Sequence, residues 1–408
     1  MAYLYSNHPG RPWLGRAARA LWGSLRAWPA LMTVGASLAL SLLGIYAIDV
    51  AESLTPPDGM HFSPAAARQA AYLAVSVAAM LIMLFPHYRL LGYASWGLLA
   101  ISVLLLIFLI IPGVPLSIVR PRNGARSWID LGAMDFQPSE FAKIAYVLVL
   151  AWYLRFRKNH RTFVGLIPPA IITFIPIGLI MLQPDLGTAT LFVPALFAVL
   201  VAAGAKLKHL ILVVALATAA APAAYFVLKP HQRQRIDGLI LQFKGDKSAD
   251  QDINMQSVTS QRLAGAGGRY GLSEEHSRTL LHFNALPERK TDMIYSVVCI
   301  RFGWLGGLLV LGLYGAWMLG ALLTAAACRE PFGRLVCVGF VGFIAAQVYI
   351  NAGMNLGIVP IIGITLPYVS HGGSSLVAVW MMAGLILSIA LRKPTMALRR
   401  SFEYDDDE

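Results

Sequence analysis

Charge is what this chain has least of. Only 13% of its 408 residues are Asp, Glu, Lys or Arg, about half the share of an ordinary soluble domain, and 57% are hydrophobic. With a mean hydropathy of +0.63, the sequence excludes a soluble globular protein and calls for a bilayer. Cysteine is nearly as scarce. Cys299, Cys328 and Cys337 lie in or beside apolar runs without ligand spacing, which argues against both a disulfide framework and a zinc site. Acids number 21 against 33 Lys and Arg, giving a net charge of +12. These basic residues are scattered through short inter-span segments with no DNA- or RNA-binding motif, so no nucleic acid partner is expected. A clear internal repeat and a soluble nucleotide-binding domain are also lacking, which argues against chemistry on ATP.

What is there is hydrocarbon in helix-length pieces. A spanning helix needs about twenty apolar residues. That template fits ten times, over roughly 30–49, 69–86, 90–112, 138–154, 163–182, 187–204, 209–228, 293–326, 336–359 and 376–391. The first run is too long for a signal-peptide core and reads as an uncleaved span. Before it, residues 1–29 carry Arg11, Arg16, Arg19 and Arg26 without an acid, while Leu14, Ala18, Leu21, Trp22 and Leu25 recur at helical spacing. This predicts a basic amphipathic arm lying on the inner membrane surface.

Orientation follows from Lys and Arg in short loops. The N-terminal arm, Arg89, Arg155, Arg157, Lys158, Arg161, Lys206, Lys208, Arg329, Arg334, Arg392, Lys393, Arg399 and Arg400 place seventeen of the 33 on one side. That side is cytoplasmic. The expected fold is an all-α polytopic membrane protein of about ten transmembrane helices, with a membrane domain over 30–391 and both termini inside. A tail over 392–408 ends in Asp405-Asp406-Asp407-Glu408, and a large extracytoplasmic loop, 229–292, separates the seventh and eighth spans.

That loop ends in Pro287-Glu288-Arg289-Lys290-Thr291-Asp292, four charges in five positions at a water-to-membrane boundary. A carboxylate with cations beside it and hydrocarbon beyond it is a candidate general base facing an anionic substrate. An interfacial charge cluster that only ends a helix is the plainer alternative. Gly265-Ala266-Gly267-Gly268-Arg269-Tyr270-Gly271 is either a flexible hinge or a set of amides for a phosphate. Glu140 and Lys143, at i, i+3 inside the fourth span, form a structural ion pair or line a cavity reached by substrate. Arg120, Arg122 and Arg126 lie outside, against the positive-inside bias, on lipid headgroups or on an anionic ligand. Gln183-Pro184-Asp185 makes a tight outer hairpin, with Asp185 able to cap the next helix. Ser370-His371-Gly372-Gly373-Ser374-Ser375 is irregular backbone at membrane depth, tolerated only around a cavity, and a helix starting near Ser374 would aim its amides at an anion. His371 can also titrate, or serve as a plain hydrogen-bonding group.

Taken together, these motifs resemble the SEDS family (shape, elongation, division, sporulation), which includes RodA and FtsW. The matching segments are 123–132, 137–143, 183–188, 265–271, 286–292 and 351–376, in family order over spans 3 to 10. The resemblance implies a peptidoglycan glycosyltransferase of the bacterial plasma membrane that polymerises lipid II on the outer face. Asp292 then matches the family's essential aspartate. Glu288, Arg289, Lys290, Arg126, Glu140, Lys143, Gln183, Asp185, His371, Ser374 and Ser375 are the substrate-binding candidates. A class B penicillin-binding protein is the implied transpeptidase partner, and Mg or Mn is the candidate divalent cation, although no ligand cluster announces one. A flippase and a catalytically silent scaffold are the competing readings. The chain departs from many members at Ser127 (commonly Arg), Lys290 (His), Met293 (Phe), His371 (Tyr) and Ile300-Arg301-Phe302, where an acidic pair is common. Arg301 is out of helical phase with Asp292, so its expected partner is Asp185 or Glu140.

Overall fold

The computed structural model describes residues 27–52, 54, 62–112, 114–115, 118–119, 121, 125–132, 134–226, 230–244 and 254–392. Most of the expected basic arm, all of the tail beyond Arg392, and Arg120 and Arg122 lie outside these residues. Within them the chain is helical nearly throughout. The apolar helices are α1 (Trp28–Glu52), α2 (Pro64–Ile82), α3 (Tyr88–Ile110), then α4 (Pro138–Leu154), α5 (Ile167–Leu182), α6 (Leu186–Ala202) and α7 (Leu207–Tyr225). The outer loop contributes α8 (Pro230–Phe243), α9 (Met255–Ala266) and α10 (Glu274–Phe283), followed by α11 (Ile294–Ala327), α12 (Pro331–Asn355) and α13 (Gly373–Leu391). Ten apolar helices thus stand where ten runs were read. Seven of the candidate spans are long and apolar enough to cross a bilayer by length and composition alone.

The shorter ones have a reason to be short. Fourteen of the seventeen residues of α4 are buried, so it is the centre of the bundle and faces little lipid. Helices α3, α12, α5 and α13 surround it, while α1 lies along α11, α6 along α12 and α2 along α13. By contrast α7 turns Leu207, Ile211, Leu212, Val214 and Leu216 outward, an apolar surface suited to hydrocarbon.

One small sheet was not foreseen. Strands β1 (Ile129–Asp130) and β2 (Asp135–Phe136) pair antiparallel, Ile129 opposite Phe136 and Asp130 opposite Asp135, and Val119 bridges Ile129. They bring the chain down onto Gln137, whose successor Pro138 occupies the first turn of α4, where a missing N–H costs nothing.

The glycine run takes a third role that neither sequence reading gave it. Helix α11 breaks at Gly303, whose φ of 70° and ψ of −175° leave the helical region. The break frees the Ile300 carbonyl and the Trp304 amide from each other. Leu272 N donates to Ile300 O at 2.9 Å and Trp304 N donates to Gly268 O at 2.9 Å, so the loop heals the gap. Such an approach leaves no room for side chains: a Cβ on Gly267, Gly271 or Gly303 would stand 2.1, 2.1 or 2.2 Å from a facing carbonyl oxygen. The amides of Gly268, Gly271 and Leu272 are spent on backbone carbonyls. The segment is therefore a docked strut, neither hinge nor phosphate cradle.

Candidate functional site

Asp292 sits in a turn gripped from three directions. Its carbonyl accepts from Asn351 Nδ2 and Asn355 Nδ2, both at 2.9 Å, from the outer end of α12. The Thr291 carbonyl accepts from Ser370 Oγ at 2.6 Å, and the Lys290 carbonyl from the His371 amide at 2.9 Å. Three consecutive carbonyls are thus fixed by the α12 end and the loop before α13. Glu288 closes the turn with a left-handed φ of 50°, a conformation costing about 1–3 kcal/mol that persists only where its surroundings over-determine it. Its carboxylate accepts from Thr291 Oγ at 2.6 Å.

The carboxylate of Asp292 is half-buried and lies over Gly363, where a Cβ would meet Oδ2 at 3.4 Å. Gly363 has a φ of 74°, so the position is hostile to other residues in conformation as well as in space. On the other side of the same loop, a Cβ on Gly187 at the start of α6 would meet Ile362 O at 2.8 Å and Gly363 O at 3.1 Å. The loop is the partition between two polar groups.

The second group belongs to α4 and α6. Lys143 Nζ lies 2.8 Å from Glu140 Oε1, with side-chain exposures of 1% and 5%, so the pair is sealed inside the bundle. Glu140 Oε2 has no hydrogen-bond partner among the described residues. Asp185 caps α6 by accepting from Thr188 N at 3.0 Å, and its other oxygen stands 3.5 Å from Gln137 Nε2. Burial raises the Asp185 carboxyl above the usual range, against the Thr188 bonds that lower it. Ser374 joins this group to α13, donating to Asp135 O and accepting from Gln137 N at 3.1 Å.

Other candidates are turned elsewhere. Gln183 donates to Leu106 O at 2.9 Å on α3. Arg289 donates to Leu281 O at 2.8 Å, and Lys290 Nζ pairs with Glu52 Oε1 at 3.1 Å, so both cations brace the turn. Ser375 donates to Gly372 O at 3.3 Å. Arg126 is half-buried with its Nε shielded and unpaired among the described residues. No group of three or more His, Cys, Asp or Glu side chains suited to a metal ion occurs among the described residues.

Arg301 corrects its expected pairing. It donates from Nε to Tyr46 OH at 2.9 Å and from Nη1 to Leu272 O at 3.0 Å, and Tyr46 OH in turn donates to Glu274 Oε2 at 2.9 Å. Asp185 and Glu140 are the wrong acids because α11 carries Arg301 toward α1 and α10. Sequence reasoning also missed the buried ion pair of Arg278 with Asp49 at 2.5 Å, which ties α10 to the end of α1, and the roles of Asn351 and Asn355. The last two carried a signal: polar residues at i, i+4 within an otherwise apolar span.

This geometry has relatives. Residues 28–394 match the model of the cell cycle protein family FtsW/RodA/SpoVE. The chain belongs to this family. It is 31% identical over 370 residues to the stage V sporulation protein E of Bacillus subtilis, spanning 89% of this chain and 97% of that one. It is 33% identical over 269 residues to the peptidoglycan glycosyltransferase MrdB of Escherichia coli, spanning 65% and 71%. Among solved structures, it is similar to a chain from a study of how a peptidoglycan synthase complex coordinates polymerization and crosslinking. That chain shares 31% identity and a TM-score of 0.73, over 88% of this chain and 96% of the other. The rod shape determining protein RodA of Thermus thermophilus follows at 28% identity and a TM-score of 0.62, over 88% and 95%. The family and the apolar spans make this a multi-pass protein of the bacterial cell membrane.

Proposed function

We propose that the protein is a peptidoglycan glycosyltransferase that polymerises lipid II at the outer face of the membrane, with Asp292 as its general base. The observation that carries this reading is the immobilised turn. Side chains or amides of Asn351, Asn355, Ser370 and His371 hold the carbonyls of residues 290–292, which leaves the Asp292 carboxylate facing Gly363 with its backbone unable to retreat. The names of the relatives support the same reaction class.

The chemistry needs little else. A sugar hydroxyl attacks an anomeric carbon that carries a diphosphate, the C–O bond to the diphosphate breaks, and the hydroxyl proton passes to the base. The leaving group is stable as an anion, so a second carboxylate of the glycosidase kind is not required. Asp292 accepts the proton of the acceptor's 4-hydroxyl, attack inverts the donor's anomeric centre, and basic residues offset the charge growing on the undecaprenyl diphosphate. A class B penicillin-binding protein is the partner that would crosslink the product, a pairing suggested by the solved synthase complex.

General-base catalysis is worth about 10²–10⁴ in rate. Asp292→Asn keeps the size and the backbone contacts, so purified variant should fold normally and form almost no polymer from lipid II. Near-normal chain growth by that variant would refute the assignment.

A further inference from the structure

The opposite, inner end of α4 carries a cationic corner that the reading above does not use. Trp152, in the last turn of α4, is clamped by two neighbouring helices: its indole meets Tyr93 of α3 edge-on at a centroid separation of 4.7 Å and Phe332 of α12 at 5.2 Å. Gly92 makes room for it, since a Cβ there would stand 2.3 Å from the ring. The Arg155 guanidinium lies over this fixed indole and 4.8 Å from the centroid of Phe156. Stacking engages the face of a guanidinium and leaves its N–H edge in plane, a fork whose geometry matches a phosphate. That edge makes no ion pair or hydrogen bond among the described residues, and the side chain is only half-buried, so a ligand can reach it.

The groups facing the guanidinium are Tyr93 and Glu330. Glu330 is committed elsewhere: Arg89 Nε pairs with its Oε2 at 2.9 Å, and Tyr88 OH donates to the same oxygen. Two cations against one acid leave the corner with one net positive charge, and exposed Arg157 and Lys158 follow directly. Burial holds the Arg155 pKa below its ordinary value against the opposing effects of Tyr93 and Glu330, the mark of a cation short of a counterion. A cation at this helix end also suits the α4 dipole, but the dipole does not account for the aromatic seat. Tyr93, Phe156 and, one turn deeper along α3, Trp96 are exposed. Such rings sit at the level of lipid headgroups.

We propose that Arg155, seated on Trp152, binds the phosphodiester of an anionic inner-leaflet phospholipid such as phosphatidylglycerol, with the acyl chains lying along the exposed apolar face of α3. The exposed rings argue against a soluble phosphate, which would leave them bare to water. The single, already paired acid argues against a zwitterionic lipid, because phosphatidylethanolamine brings an ammonium beside its phosphate and Glu330 is taken by Arg89. A bound lipid touches α3 and α4 together and, through Trp152, backs onto Phe332 of α12. Occupancy therefore stiffens the inner end of the central helix. None of this depends on the polymerase reading.

The test uses the full chain, delipidated in detergent, with phosphatidylglycerol, phosphatidylethanolamine and glycerol phosphate as separate probes. Native mass spectrometry reads the affinity, and thermal unfolding reads the stabilisation each probe gives. The parent should hold phosphatidylglycerol about tenfold tighter than phosphatidylethanolamine, the worth of one charge-assisted contact, and should not be stabilised by glycerol phosphate. Arg155→Gln should lose that preference, and Arg155→Lys, which keeps the charge without the fork, should retain part of it. Arg157→Gln should retain all of it, since that guanidinium lies over Tyr153 instead. Equal affinity of the parent for the two lipids overturns the site, a result that no misfolded variant can obscure. An unchanged preference in Arg155→Gln overturns it as well, as do equal losses in Arg155→Gln and Arg157→Gln, which would make the preference a property of the whole basic face. Stabilisation by glycerol phosphate as large as that by the lipid would overturn the lipid assignment in favour of a soluble anion.

Discussion

Removing Lys143 should expose what the buried ion pair is for. Its ammonium stands 2.8 Å from Glu140, and neither side chain is more than 5% exposed. Two unit charges about 4 Å apart attract by roughly 4 kcal/mol at an effective dielectric of about 20. Lys143→Met leaves Glu140 with no counterion at its Oε1 and an Oε2 already without a partner among the described residues. Breaking such a pair from one side costs about 3–5 kcal/mol. The double variant Glu140→Gln/Lys143→Met removes both charges and should recover most of that loss, because a buried pair replaced as a whole is often close to neutral. Thermal unfolding in detergent of the parent, Glu140→Gln, Lys143→Met and the double variant, followed by tryptophan fluorescence, measures the cycle. The same four proteins then go into a lipid II polymerisation assay. A stable double variant with normal chain growth makes the pair a packing device. A stable but inactive one shows that polymerisation needs the charged pair itself and not only its packing. If the double variant is destabilised by the sum of the two singles, the pair has no coupling energy and the reasoning fails.

Gly303→Ala places a methyl group 2.2 Å from Arg269 O at a left-handed φ, so the α11 break should deform and the folded fraction should drop clearly in a detergent thermal scan. The Glu274 carboxyl is held below the usual range by the Arg278 guanidinium and then by the Tyr46 hydroxyl. Its folded pKa is thus depressed, so the stability it supplies is present above the unfolded value and fades as pH drops through the folded one. Glu274→Gln should accordingly flatten the loss of thermal stability on acidification toward pH 4, and an unaltered profile would count against this ion network.

The spans were legible because bilayer thickness and the 3.6-residue helix impose a coarse and local code. Apolar length marks the helices, and scattered arginines mark their inner ends. The Asp185 cap and the Glu140–Lys143 pair were also visible, since both depend on spacing within four residues. What escaped depends on contacts between distant segments. Nothing near Gly267 or Gly271 announces that Ile300 and Trp304 will need bonding partners, because the need arises only once α11 has broken at Gly303. Asn351 and Asn355 read as polar oddities in a span until the Asp292 carbonyl is seen beneath them. Arg289 and Lys290, read as cations for a diphosphate, brace the turn against Leu281 O and Glu52 because α1 ends beside them.

Arg301 stands where the family resemblance leads one to expect an acidic pair, and the groups around it are ones that accept a positive charge. Its guanidinium donates to Tyr46 OH and Leu272 O, and Tyr46 OH in turn donates a hydrogen bond to Glu274. A positive charge here therefore meets an acid on α10 through one hydroxyl. Arg301→Glu would set two carboxylates against that hydroxyl and strip the donor from Leu272, whose amide holds the Ile300 carbonyl at the break in α11. Losing bonds that involve a charged group costs about 1.5–3 kcal/mol. The strain falls on the stretch of α11 between Gly303 and Asp292, so the rate of polymerisation should fall together with the melting temperature. Adding Glu274→Gln removes the repulsion and should restore part of the stability, but it leaves Leu272 O without its donor and so cannot restore all of it. An Arg301→Glu variant as stable and as active as the parent would mean that position 301 tolerates either sign. The network through Tyr46 would then carry no preference for a positive charge.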